Sequence, residues 1–125
     1  MSKEKVSFDT ISPKMVLGQL FKSINIMKIV RFKTTIASVA HEADSYCEEM
    51  SAMLQLLIEV HYGVVNKKEL DEIPGAKYID PIMHFKDITY YLEGNRKVFK
   101  TLQESAIVDD ILALISKYSY RLTLD

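Results

Sequence analysis

From Ile29 to Val60 an apolar or aromatic side chain recurs at alternating spacings of 3 and 4: Ile29, Phe32, Ile36, Val39, Ala43, Tyr46, Met50, Met53, Leu57 and Val60. This is the a/d pattern of a coiled coil, and it predicts one helix across the whole span. Such a helix would run about 48 Å at ~1.5 Å per residue. A chain of 125 residues is too short to bury it along its full length. The ridge therefore predicts a covering partner, and a second copy of the chain is the expected one. The alternative is that the chain's own later helices cover the seam.

The charges sharpen this expectation. Net charge is −1, yet residues 10–41 contain no Asp or Glu and carry Lys14, Lys22, Lys28, Arg31 and Lys33. Residues 42–59 contain no Lys or Arg and carry Glu42, Asp44, Glu48, Glu49 and Glu59. On one helix this places cations near the N-terminus and anions towards the C-terminus, against the helix dipole. An antiparallel helix of like sequence would turn that repulsion into attraction, with basic ends facing acidic ends. The expected contact surface is Ile29, Phe32, Ile36, Val39, Tyr46, Met50, Met53 and Leu57, flanked by Arg31 and Lys33 at one end and by Glu48 and Glu49 at the other.

Around this ridge the elements are shorter. Ser12–Pro13 is a helix start, a capping hydroxyl followed by proline at the first helical position. The helix it opens is expected to break near Ser23–Asn25. Gly63 is the expected stop of the long helix. Residues 63–80 read as a connector, with Pro74–Gly75 at a turn and Val64, Val65, Tyr78 and Ile79 as a small hairpin beside it. Asp80–Pro81 repeats the cap-plus-proline start, with Ile82, Phe85, Ile88 or Thr89, and Leu92 on one face and Gly94–Asn95 ending or bending that helix. "RKVFKTLQES" reads as helix or loop, and Ser105 as the cap of a last helix striped by Val108, Ile111, Ile115 and Tyr118. Tyr120, Leu122 and Leu124 alternate, which suggests a closing strand paired with the N-terminal arm, residues 1–11. The expected fold is mainly α: one domain over residues 1–125, one long heptad-patterned helix packed with two or three shorter helices, and a minor β pairing of the termini.

Composition narrows the class of function. With 48% hydrophobic and 26% charged residues the chain can build a core and is not a disordered segment. No run of about eighteen apolar residues spans a membrane. The start lacks the apolar stretch of a secretory signal, and the lone Cys47 cannot form an internal disulfide. An intracellular setting, cytoplasmic or within a virion, is the expectation.

The densest chemistry lies in "HEADSYCEEM", residues 41–50. His41, Asp44 and Glu48 share one helix face, as metal ligands would. That face points away from the seam, and the two-histidine zincin spacing is missing, since Ser45 stands where the second histidine would be. A solvated face is the better reading, and no metal is expected. Cys47 has no nearby base to activate it and reads as a small core residue. His61 suits a helix C-terminus as a cation. His84 and Asp87 are spaced to orient one another, without a nucleophile in sequence reach. Glu69 and Glu72 fall in a lysine-rich turn. With no Gly-rich phosphate loop, no GxSxG and no CxxC, no catalytic residue and no cofactor is expected. The basic stretch 14–33, with Phe21 and Phe32 interleaved, is the best case for nucleic acid, through Lys14, Lys22, Lys28, Arg31 and Lys33.

The layout from "IVRFKTTIASVAHEADSYCEEM" to "HYG", a charged helix ending near a YG and followed by a connector and further helices, resembles the small helical accessory proteins of tailed-phage genomes. The resemblance covers residues 29–63 and carries no diagnostic motif. It implies a non-enzymatic role in particle assembly or host interference. Together these readings point to an interaction or assembly module that self-associates and engages a protein partner. The alternative is a small nucleic-acid-binding regulator.

Overall fold

The computed structural model describes residues 11–63 and 75–124. Four helices form a bundle: α1 (Pro13–Lys33), α2 (Ala37–Tyr62), α3 (Pro81–Asn95) and α4 (Leu102–Thr123), with a 3-10 turn at Arg96–Val98 before α4. No strand occurs among the described residues. The N-terminal half of the expected β pairing, residues 1–10, lies outside them, as do Val64, Val65 and Pro74 of the expected hairpin.

The long helix is two helices. α1 stops at Lys33, Thr34 and Ile36 are extended, and α2 starts at Ala37. The cause is local. Thr34, Thr35 and Ile36 are three β-branched residues in a row, and such residues lose rotamer freedom against a preceding helical turn. The Thr34 hydroxyl also accepts a bond from the Ile36 N–H at 3.2 Å, offering the backbone an alternative to the helical ladder. The Thr34 N–H still closes on the Val30 carbonyl at 2.8 Å, finishing α1. This break relieves the dipole conflict at the basic end, because Arg31 and Lys33 now sit in the last turn of α1, where cations are favourable, while Glu59 stays in the last turn of α2.

The chain therefore supplies its own antiparallel partners. Arg31 of α1 reaches Asp44 of α2 at 2.9 Å. Further along the bundle, Lys117 of α4 bonds Glu49 of α2 at 2.9 Å, and Arg121 lies 3.5 Å from Glu42. The basic-to-acidic pairing expected between two copies is made inside one. α2 packs between α1 and α4, and α3 between α1 and α4. α2 and α3 thus run in the same direction, diagonally across the bundle, and residues 63–80 connect the end where α2 stops to the opposite end, where α3 starts.

Within α2 the buried stripe is Ala43, Tyr46, Met50, Leu54, Leu57 and Ile58. Tyr46, Met50 and Leu57 of the expected intermolecular seam are thus fully enclosed by the chain itself. Leu54 and Ile58 take over from Met53 and Val60, which are only partly buried. An α-helix has 3.6 residues per turn, so a strict 3.5-residue stripe drifts around it unless supercoiled. Contact with two neighbours also buries a face wider than a/d alone. The Tyr46 ring sits at the centre, 4.9 Å from Phe85 of α3 and 5.8 Å, edge-on, from Tyr118 of α4.

The caps follow simple chemistry. Ser12 accepts from Met15 N–H at 3.3 Å and Asp80 from Met83 N–H at 3.1 Å, each ahead of a proline. Gly63 ends α2 with φ +77°, a conformation that costs glycine little. The last helix starts at Leu102, capped by Thr101 rather than Ser105. Thr101 Oγ1 accepts from the Glu104 N–H, and the Glu104 carboxylate accepts from the Thr101 N–H, both at 3.1 Å. This reciprocal box is stronger than a lone serine cap.

Two further expectations are corrected. α1 runs through Ser23–Asn25 without a break, because Ser23 is buried and bonded across the core instead of turning the chain. The tail is helical to Thr123, because Tyr118 and Leu122, four apart, continue the buried stripe of α4 while Tyr120 and Leu124 face outward.

Candidate functional site

Two places hold polar or apolar groups where a bundle would not otherwise put them. The first is the middle of the core. Ser23 of α1 and Tyr46 of α2 are fully buried and His84 of α3 nearly so. Ser23 Oγ lies 2.6 Å from the Tyr46 hydroxyl and 2.7 Å from His84 Nε2. Burial pushes the His84 imidazole down to about 4, with Asp87 opposing that shift and Lys22 adding to it. The ring is therefore neutral near pH 7. The bonds then run one way: Tyr46 O–H donates to Ser23, and Ser23 O–H donates to Nε2. The reverse order would leave the Tyr46 proton without an acceptor in a dry core.

A serine hydroxyl bonded to a histidine nitrogen, with Asp87 one helical turn on, has the membership of a hydrolytic triad. Its surroundings do not suit one. Ser23 has no exposed surface to meet a substrate, and its hydroxyl is shared with Tyr46. What the arrangement does in this geometry is pin α1, α2 and α3 in one register, a use for which buried polar groups are suited when all are bonded. No local pattern linked these residues, since Ser23 and His84 stand 61 positions apart.

The second place is one end of the bundle, where α1 stops, α2 and α3 start and α4 stops. Phe32 is 85% exposed, Ile36 51% and Tyr78 49%. Met83 in the first turn of α3 and Leu124 after α4 are exposed as well. Ile36, Val39 and Tyr78 line a cleft of about 280 Å³ whose rim carries Lys33 and Asp80. The opposite end is built differently, although Leu102 is 91% exposed there. There Phe99 is buried, and His61 donates from Nδ1 to the buried Glu104 carboxylate. Burial works to raise Glu104, but the bonds from His61 and Thr101 outweigh it and hold the carboxyl below its ordinary value.

The residues expected at an interface thus divide. Tyr46, Met50 and Leu57 are core. Ile29, Val39 and Met53 are half-buried, and Phe32 and Ile36 face outward. Arg31 is spent on Asp44, while Lys33 is exposed at the cleft rim. Glu48 is exposed on α2, and Glu49 accepts from Lys117 and Tyr118, whose bonds lower its carboxyl pKa. Lys28 is exposed and Lys14 and Lys22 are partly so, all on α1.

Of the "HEADSYCEEM" groups, His41, Asp44 and Glu48 lie on the exposed face of α2, with Asp44 occupied by Arg31. Among the described residues no three His, Cys, Asp or Glu side chains gather as a metal site would need. Cys47 is half-buried, 3.5 Å from the Ile24 carbonyl, and its thiol is pushed up to about 11, chiefly by burial. Among the described residues no helix is long and apolar enough to cross a membrane. Comparison with protein-family models, with curated proteins and with solved structures finds no match.

Proposed function

We propose that this protein is a non-enzymatic interaction and assembly module that docks, on a second copy of itself or on a protein partner, through the apolar end of the bundle. The observation that carries this reading is the concentration of Phe32, Ile36, Tyr78, Met83 and Leu124, all exposed, at that one end. Large apolar side chains gathered and rimmed by charge are the ordinary mark of a protein–protein contact. Phe32 and Ile36 of this surface are the outward part of the heptad ridge, with Lys33 beside them. The setting we propose is accessory work in particle assembly, resting on the part of that layout that the break leaves: α2 as a charged helix ending at Tyr62–Gly63, with further helices after it.

The test is Phe32→Asp with Ile36→Asp, followed by sedimentation and by capture of partners from the native host. The double variant is expected to keep the wild-type melting temperature within a few degrees, since Phe32 is almost wholly in water and Ile36 about half so. It is also expected to lose concentration-dependent association and partner capture. Association and capture that survive both substitutions reject the reading.

A second reading rests on α1. Its residues include no Asp or Glu, and Lys14, Lys22, Lys28 and Lys33 fall within one outward-facing arc of the helix. Such a stripe suits a phosphate backbone, so a nucleic-acid-binding regulator is the alternative. Retention on heparin that collapses at moderate salt favours it. Passage through the column at low salt removes it.

A further inference from the structure

The Tyr46–Ser23–His84 chain does not end inside the core. His84 lines a small cleft of about 250 Å³ between α1 and α3, and Ser23 does not line it. With Nε2 accepting from Ser23, the neutral ring carries its proton on Nδ1. That nitrogen has no hydrogen-bond partner among the described residues and is not sealed from solvent. A histidine more than nine-tenths buried therefore presents one fixed N–H donor to the cleft.

Two opposite charges share the lining. Lys22 comes from α1 and Asp87 from α3. Neither is in an ion pair among the described residues, although both act on the His84 ring, in opposite senses. A cation on one wall of a small cleft, and an anion and a buried donor on the other, complement a ligand that carries both charges. Ile26, Ile79 and Ile88 supply the apolar wall. Gln19 and Tyr91 complete the lining, so polar groups converge on an aliphatic wall, as they do in small-ligand sites.

We propose that the α1–α3 cleft binds a small aliphatic α-amino acid as its zwitterion, the carboxylate held by the His84 Nδ1–H and the Lys22 ammonium and the ligand's ammonium by Asp87. The site adjoins the apolar end at Ile79, between Tyr78 and Asp80, but shares no lining residue with the cleft there, and it stands whether or not that end docks a partner.

The experiment titrates the full-length chain with glycine, alanine, valine, leucine and methionine, followed by amide and imidazole NMR shifts. 4-Methylpentanoate serves as the carboxylate-only probe and isoamylamine as the amine-only probe. The expected result is saturable binding of at least one aliphatic amino acid, with both half-ligands about tenfold or more weaker, a difference of ~1.4 kcal/mol. Lys22→Met and Asp87→Asn should each weaken the amino acid about tenfold and leave the fold unchanged. Asp87→Asn should leave 4-methylpentanoate binding as it was. The proposal is overturned by no saturable shift with any of the five amino acids up to roughly 10 mM, by equal affinity for zwitterion and half-ligands, or by variants that bind as the wild type does.

Discussion

The two stretches of the heptad ridge, alike in sequence pattern, have opposite fates. Ala43, Tyr46, Met50 and Leu57 are buried to the last atom, while Phe32 and Ile36, equally regular in spacing, stand in water. The pattern is the same and the chain's path differs. Beyond Ala37 the ridge runs between α1 and α4, which cover it from both sides. Before Ala37 the chain turns, and the ridge is carried over the tip of the bundle with nothing described above it. An apolar period tells that a side chain wants cover; topology decides whether its own chain provides it.

The widest separation between the two stretches comes from truncating one residue in each. Tyr46→Ala removes a ring that touches Phe85 and Tyr118 and whose hydroxyl donates to Ser23. It should cost about 3–5 kcal/mol in urea unfolding. Phe32→Ala should change stability by less than about 0.5 kcal/mol. Comparable losses from the two substitutions would show that the tip is packed after all.

Acid separates them next. The folded His84 is held near 4, below the ~6.5 of an unfolded histidine. The unfolded chain then binds the extra proton more readily. Stability from this group is full above about pH 6.5 and is lost as pH falls towards 4, by about 3 kcal/mol in all. Glu104 and Glu49 are also lowered in the folded state, and their contributions are lost only below the ordinary carboxylate range. Urea midpoints between pH 7 and 5 should therefore fall in the wild type and stay level in His84→Leu. Equal slopes in the two proteins would refute the neutral, buried imidazole. The exposed tip has no group in this network, so association through Phe32 should follow pH only as far as folding does.

The smallest effect lies at the boundary. Arg31 and Asp44 are both about half exposed, so Arg31→Ala should cost about 0–1 kcal/mol, read from the same urea curves. A larger loss would mean that this pair, rather than the apolar core, holds α1 against α2.

How much of this the sequence carried depends on the range of each interaction. Caps are local, so Ser12–Pro13, Asp80–Pro81 and Gly63 were legible, and Thr101 with Glu104 was legible too had the T-x-x-E spacing been weighed above Ser105. The later helices were legible because Phe85, Ile88 and Leu92, and Val108, Ile111, Ile115 and Tyr118, keep helical spacing. The hinge was hidden by its own regularity, since Phe32, Ile36 and Val39 keep the 3–4 rhythm across a backbone that is not helical there. The β-branched run Thr34–Thr35–Ile36 was the signal that outranked it. The core network was out of reach, because its members come from three helices and meet only once the bundle closes. The charge layout asked for an antiparallel complement and obtained one, but it carried no information on whether that complement was a second molecule.

The turn at Thr34–Ile36 therefore governs more than one helix boundary. If those three positions straightened, α1 and α2 would become a single rod, its ridge stripped of α1's cover, and the nearest replacement would be the same helix from a neighbour. Short hinges are where domain exchange begins when it occurs, so the β-branched run that folds α1 back on α2 is also what keeps the ridge of α2 covered by its own chain.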